Sequence, residues 1–190
     1  GEADYSPACV LTEMPPDFTQ DYYALFGLPR AYALDTADLE QHYRELQTRV
    51  HPDKHAHLSD AERRLAMQWS TQVNEAYRTL RLPLRRAQYM LRLAGIDVQL
   101  EHNTAMPPDF LMQQMEWREA VEEALTGNDT EALEHLHRRI KQEMAGQYRL
   151  LESQMDTQRD HPAAAGTVRQ LMFQEKLLQE IDEALATLET

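Results

Sequence analysis

From Asp21 onward, apolar residues recur at intervals of three and four, and no run alternates with a period of two. β-branched residues are sparse as well. That pattern excludes a sheet protein and predicts an all-α fold in which each helix buries one stripe. Proline and glycine punctuate the pattern. Asp21 to about Phe26 reads as a short helix stopped by Gly27 and Pro29. A second helix spans Thr36–Val50, with Asp35 as cap and Leu39, Tyr43, Leu46 and Val50 on one face. A third runs from Asp60 to Leu80, with Leu65, Ala66, Trp69, Val73, Ala76, Tyr77 and Leu80 as its stripe. Leu82-Pro83-Leu84 reads as a corner and Arg85–Ala94 as a fourth helix ended by Gly95.

Residues 101–108 are polar and proline-bearing, so 96–107 is expected to be a linker. Three long helical patterns follow, about Pro108–Thr126, Asp129–Met155 and Pro162–Leu188. Gly127 is the expected stop of the first. Asn128 with Glu131 resembles a capping box for the second. This spacing predicts a three-helix bundle over 108–190. Residues 1–20 show no sustained period and are expected to form a mobile tail. They have no basic start and no apolar block, so neither a secretory signal nor a transit peptide is expected.

Charge separates the two halves. Residues 21–95 carry 11 bases and 9 acids, whereas residues 96–190 carry 8 bases and 19 acids. The whole chain stands at −13. No nucleic-acid partner is expected for such a chain, because phosphate contacts need clustered cations. No run approaches the ~20 apolar residues of a membrane span. The single cysteine, Cys9, excludes an internal disulfide and a cysteine-rich metal site. His51, His55 and His57 lack the ligand set of a zinc site and read as solvent-exposed loop residues. Neither a metal nor a cofactor is expected.

Between the second and third helices lies Val50-His51-Pro52-Asp53-Lys54. Pro52 disfavours helical backbone at His51, so the segment must project at a corner. Together with Asp21-Tyr22-Tyr23-Ala24-Leu25-Phe26-Gly27-Leu28 and Val73-Asn74-Glu75-Ala76-Tyr77-Arg78-Thr79-Leu80, this corner resembles the J-domain family, co-chaperones of DnaK-type ATPases. The resemblance implies that His51, Pro52, Asp53 and Lys54, with Arg44 and Arg49 of the second helix, contact the ATPase and trigger hydrolysis.

In the helix from Pro108, with Phe110 set at 0°, Phe110, Gln114, Trp117, Val121, Ala124 and Leu125 cluster within about 60° of zero. Met112 and Met115 fall at about 200° and 140°, and Glu116, Glu119 and Glu123 at about 180–240°. Apolar residues opposite a core stripe and beside carboxylates mark a binding patch. A J-domain followed by an acidic bundle resembles the HscB family of iron–sulfur cluster co-chaperones. Leu28-Pro29, the segment Thr79–Ala87, Phe110-Leu111-Met112-Gln113-Gln114-Met115-Glu116 and Thr167–Phe173 also agree with it.

That resemblance implies an L-shaped molecule with a J-domain and connecting helix over 21–95. It further implies that the bundle binds the cluster scaffold protein IscU through Leu111, Met112, Met115, Glu116, Glu119, Glu123 and Phe173. Phe173 lies at the rim of its helix's apolar stripe, so periodicity also allows it a core position. The J-domain would recruit the specialised chaperone HscA in the bacterial cytoplasm, and the chain would itself be no enzyme. Two other readings are a general J-protein for unfolded clients and an unrelated enzyme using the histidine-rich loop. The first lacks the Gly/Phe-rich stretch and zinc cysteines that general J-proteins carry.

Overall fold

The computed structural model describes residues 17–51, 53, 57–98 and 106–189. The expectations for residues 1–16, for Pro52, Lys54 and His55, and for 99–105 of the linker lie outside the described residues. All described regular structure is helical: α1 (Tyr22–Leu25), α2 (Thr36–Val50), α3 (Asp60–Arg81), α4 (Pro83–Leu93), α5 (Pro108–Thr126), α6 (Thr130–Glu152) and α7 (His161–Leu188). A π-helical turn, Ser153–Thr157, continues α6. The chain divides into two compact units between Arg86 and Ala87, within α4.

Capping chemistry sets most of these ends. The Asp21 carboxylate accepts from the Ala24 N–H at 2.9 Å and from Arg30 at 2.5 Å. Partial burial pushes this carboxyl up, but the Arg30 hydrogen bond, the Ala24 N–H and the Arg30 charge together hold it below its ordinary value. Gly27, at φ +64°, ends α1 in a left-handed turn. There Gly27 N–H donates to Ala24 O and Leu28 N–H to Tyr23 O, satisfying two orphan carbonyls. Ser59 and Glu62 form a reciprocal capping box at the start of α3. A serine cap of this kind stabilises a helix by about 1 kcal/mol.

The Asp21 cap has a pH signature. A carboxyl lowered on folding stabilises fully above its unfolded pKa and loses that contribution as pH falls through the folded value. Asp21→Asn is therefore expected to melt earlier than the parent chain at pH 6. The gap should close as pH falls below about 4, the ordinary aspartate range. Melting midpoints followed by circular dichroism across that range check it, and a gap that persists at pH 2 would show that the cap acts through something other than charge.

In the first unit α3 packs against α2 and α1. Tyr23, Phe26, Leu39, Val50, Ala66, Val73, Ala76 and Leu80 are buried between them. Leu65, Trp69 and Tyr77, expected on the core stripe, are half-buried. Tyr43 stacks on Tyr77 at 3.9 Å and donates its hydroxyl to Asn74 Oδ1 at 2.8 Å, which ties α2 to α3. Phe18 meets Trp69 edge to face at 5.5 Å. This aromatic pair anchors the last part of the expected tail to the unit. Pro83 opens α4 rather than forming a corner ahead of it, since proline suits the first helical position. Buried Arg86 donates to the Leu80 carbonyl at 2.7 Å and sits 5.1 Å from the Tyr32 ring centroid.

In the second unit α5, α6 and α7 pack pairwise. Phe110, Trp117, Val121 and Ala124 of α5 are buried, with Leu133, Leu136, Ile140, Met144 and Leu151 of α6 and Leu171, Leu177, Leu178 and Ile181 of α7. The α5–α6 turn corrects the capping assignment. Asn128, at φ +50°, holds the left-handed position that closes α5, and Gly127 is ordinary right-handed backbone. Asparagine is among the few residues that tolerate that conformation. The cap of α6 is then Asp129, whose carboxylate accepts from the Ala132 N–H at 3.0 Å. Asp160 caps α7 in the same way, through Ala163.

Candidate functional site

Two exposed surfaces, one on each unit, carry the residues singled out from the sequence. On the first unit His51 follows the last residue of α2 with extended backbone, φ −60° and ψ 129°, as a residue before proline should. Its side chain is half exposed and that of Asp53 is 91% exposed. The Asp53 N–H donates to His51 Nδ1 at 3.3 Å, and Asp53 Oδ2 lies 3.6 Å from the same nitrogen. The corner therefore holds an imidazole and a carboxylate side by side at the surface. Arg44 and Arg49 are exposed on the α2 surface. Arg44 pairs with Glu40 at 2.5 Å. An exposed pair at this spacing is worth about 0.3–0.5 kcal/mol, so a partner's carboxylate can displace it at little cost.

On the second unit, α5 divides its residues between core and solvent as its periodicity predicts. Phe110, Gln114, Trp117, Val121 and Ala124 are buried, while Met112 and Met115 are 60% and 63% exposed. Leu111 and Phe173 are exposed as well, at 44% and 41%. Exposure at Phe173 decides against the core position that periodicity left open. Glu116, Glu119 and Glu123 are exposed alongside. Helix α5 holds five carboxylates and one base, Arg118, which pairs with Glu180 on α7 at 2.7 Å. The face is thus an apolar ridge in an acidic field.

Beside this ridge lies a groove of about 550 Å3 between the start of α5 and the middles of α6 and α7. Met112 and Glu116 belong to both ridge and groove. Gln170 and Gln174, flanking Phe173 on α7, line it too. Gln113 donates to Glu143 at 3.1 Å, and the Gln147 amide donates to Gln170 Oε1 at 2.9 Å. Further along the same seam Thr167 donates to Gln154 at 2.8 Å. Gln147 Oε1, Gln174 Oε1 and both amide atoms of Gln114 are buried with no hydrogen-bond partner among the described residues. Each such group costs about 1–3 kcal/mol. Gln113, Gln114 and Gln170 lie within the matching segments of α5 and α7; sequence reasoning missed Gln147 and Gln154, and missed that Gln170 and Gln174 line one groove, because glutamine reads as surface. The available signal was their four-residue spacing on α7 within an otherwise apolar stripe.

Among the described residues no three His, Cys, Asp or Glu side chains gather as metal ligands, and no helix is long and apolar enough to cross a membrane.

Comparison with known proteins agrees with both halves. The DnaJ domain family matches residues 21–89, and the HSCB C-terminal oligomerisation domain family matches residues 106–182. The chain is 53% identical to the co-chaperone protein HscB homolog of Azoarcus sp. (strain BH72), covering 93% of this chain and 99% of that one. It is 55% identical to the homolog from Aromatoleum aromaticum, covering 93% and 100%. Among solved structures, the chaperone HscB from Vibrio cholerae superposes with a TM-score of 0.78 at 37% identity, over 89% of this chain and 99% of that one. The human co-chaperone HscB gives 0.82 at 30% identity, over 88% and 83%. With a J-domain unit, a helical bundle unit and relatives matched over nearly their whole length, the chain belongs to the HscB family of J-domain co-chaperones.

Proposed function

We propose that this chain, a J-domain co-chaperone of iron–sulfur cluster biogenesis, holds the cluster scaffold protein IscU on its bundle and delivers it to the DnaK-type chaperone HscA. His51, Pro52, Asp53 and Lys54, with Arg44 and Arg49, contact HscA and stimulate its ATP hydrolysis. Leu111, Met112, Met115, Glu116, Glu119, Glu123 and Phe173 hold IscU. The observation that carries this reading is the outward-facing methionine ridge on one unit, together with an exposed histidine corner on the other. Large exposed apolar side chains grouped beside carboxylates suit a partner face that is apolar at its centre and basic at its rim. The cations of α2 suit an acidic ATPase surface and would speed its encounter. Joining the two docking surfaces in one chain raises the effective concentration of scaffold at the chaperone without a new contact. The chain hydrolyses nothing itself, carries no cofactor of its own and works in the bacterial cytoplasm.

The test is a steady-state ATPase assay of HscA with the chain and IscU added singly and together. The chain alone should release no phosphate. With IscU it should raise HscA turnover more than the two single additions combined. Equal stimulation when IscU is replaced by unfolded apolar peptides would instead make it a general J-protein.

A further inference from the structure

The groove beside the methionine ridge combines acidic and amide side chains with the apolar Pro107, Phe110 and Met112. Asp109, Glu116 and Glu143 contribute three carboxylates, and none of its lining residues is a base. Gln174, 1% exposed, is one of its lining residues, and its buried Oε1 has no donor among the described residues. Gln147 spends its amide N–H on Gln170, leaving its own buried Oε1 without a donor among the described residues. The Phe110 ring adds an aromatic wall. An occupant of this site must bring several N–H groups, a positive charge and an apolar stem. A guanidinium supplies five donors in a rigid plane and stacks on aromatic faces, whereas an ammonium concentrates three donors at one point.

We propose that the groove receives an arginine side chain of the protein partner docked on the ridge. The proposal rests on the scaffold-docking reading above and extends it from the ridge to Gln174, Gln147 and Glu143. Met112 and Glu116, shared by ridge and groove, make the two surfaces continuous, and the acidic lining complements the charge of the occupant. A guanidinium satisfies amide oxygens that are otherwise stranded, so docking relieves a cost the unbound bundle carries.

The experiment titrates IscU into the full chain by calorimetry, with Glu143→Gln, Gln174→Leu and the Met112→Ala, Met115→Ala double variant in parallel. Glu143→Gln and Gln174→Leu should each weaken IscU binding about tenfold, the effect of losing one charge-assisted hydrogen bond. Gln174→Leu removes a stranded acceptor, so its melting midpoint should hold or rise while its affinity falls. A merely structural residue would not show those opposite signs. Alanine substitution of the exposed IscU arginines should find one whose loss is not additive with Glu143→Gln. Affinities within twofold of the parent for both groove variants, with the methionine double variant still weakened, would overturn the groove assignment and leave the ridge standing. Coupling of Glu143 to a lysine or an apolar residue of IscU would overturn it too. If the methionine variant is also unaffected, the docking reading falls and the groove proposal with it. Half-buried Glu143 keeps the test decisive should Gln174→Leu fail to fold.

Discussion

His51→Gln is expected to leave HscA turnover at the rate it has without the chain, while the helical content and melting midpoint of the chain stay unchanged. The corner allows that separation. His51 has left the helix, its backbone is extended, and its side chain is half exposed beside Asp53. Glutamine accepts the same extended backbone and keeps polar capacity, so no cavity or stranded donor is created. Substitutions at such surface positions usually change stability by less than about 0.5 kcal/mol. What glutamine lacks is the imidazole ring. Steady-state phosphate release by HscA in the presence of IscU is the measurement. Full stimulation by the variant would remove this corner from the ATPase contact.

Replacing Met112 and Met115 together by alanine is expected to weaken IscU binding about a hundredfold, if each is an interface anchor worth about 1.4 kcal/mol. Both side chains stand about three-fifths in water, so their truncation removes little from the unbound chain. The thermal midpoint should therefore stay within a degree or so of the parent, as is usual for exposed positions. Trp117, two residues beyond Met115 and on the opposite face, should behave in the opposite manner. It is 4% exposed, and Trp117→Ala should cost about 3–5 kcal/mol of stability through the cavity it leaves. Calorimetric titration and urea denaturation on both variants separate the faces. Unchanged affinity in the methionine variant, or a near-neutral Trp117→Ala, would mean that the docking face has been placed on the wrong side of α5.

Much of this arrangement is legible in the chain as written. The bounds of α2 and α5 follow from their stripes and flanking Asp35, Pro52, Pro107 and Gly127, and the structure reproduces Thr36–Val50 and Pro108–Thr126. The buried residues of α6 are those that share its apolar face. On α5, angular position alone separates the buried tryptophan from the exposed methionines, because a regular helix turns by a constant amount per residue. The C-terminal end of α6 departs from its apolar pattern. The apolar pattern runs on to Met155, but the backbone passes into a π-helical turn at Ser153, where Gln154 is buried against Thr167. Periodicity assumes one helical pitch and cannot register a change of pitch near a helix end.

Local chemistry, then, is enough to say where α2, α3 and α5 begin, which stripe the bundle helices bury and which side of α5 faces water, since those properties depend on residues within one or two turns. Other features came only with the packed chain. Asn128 rather than Gly127 adopts the left-handed turn, Arg86 is buried on a helix-end carbonyl, Phe173 is left in solvent, and Gln147, Gln170 and Gln174 share one groove with Glu143. In each case the outcome depends on a neighbour that reaches the residue through folding, or on a backbone choice open to more than one side chain. Whether a polar group is buried, and whether it finds a partner there, is a property of the assembled interior and has no counterpart in the spacing of letters along a chain.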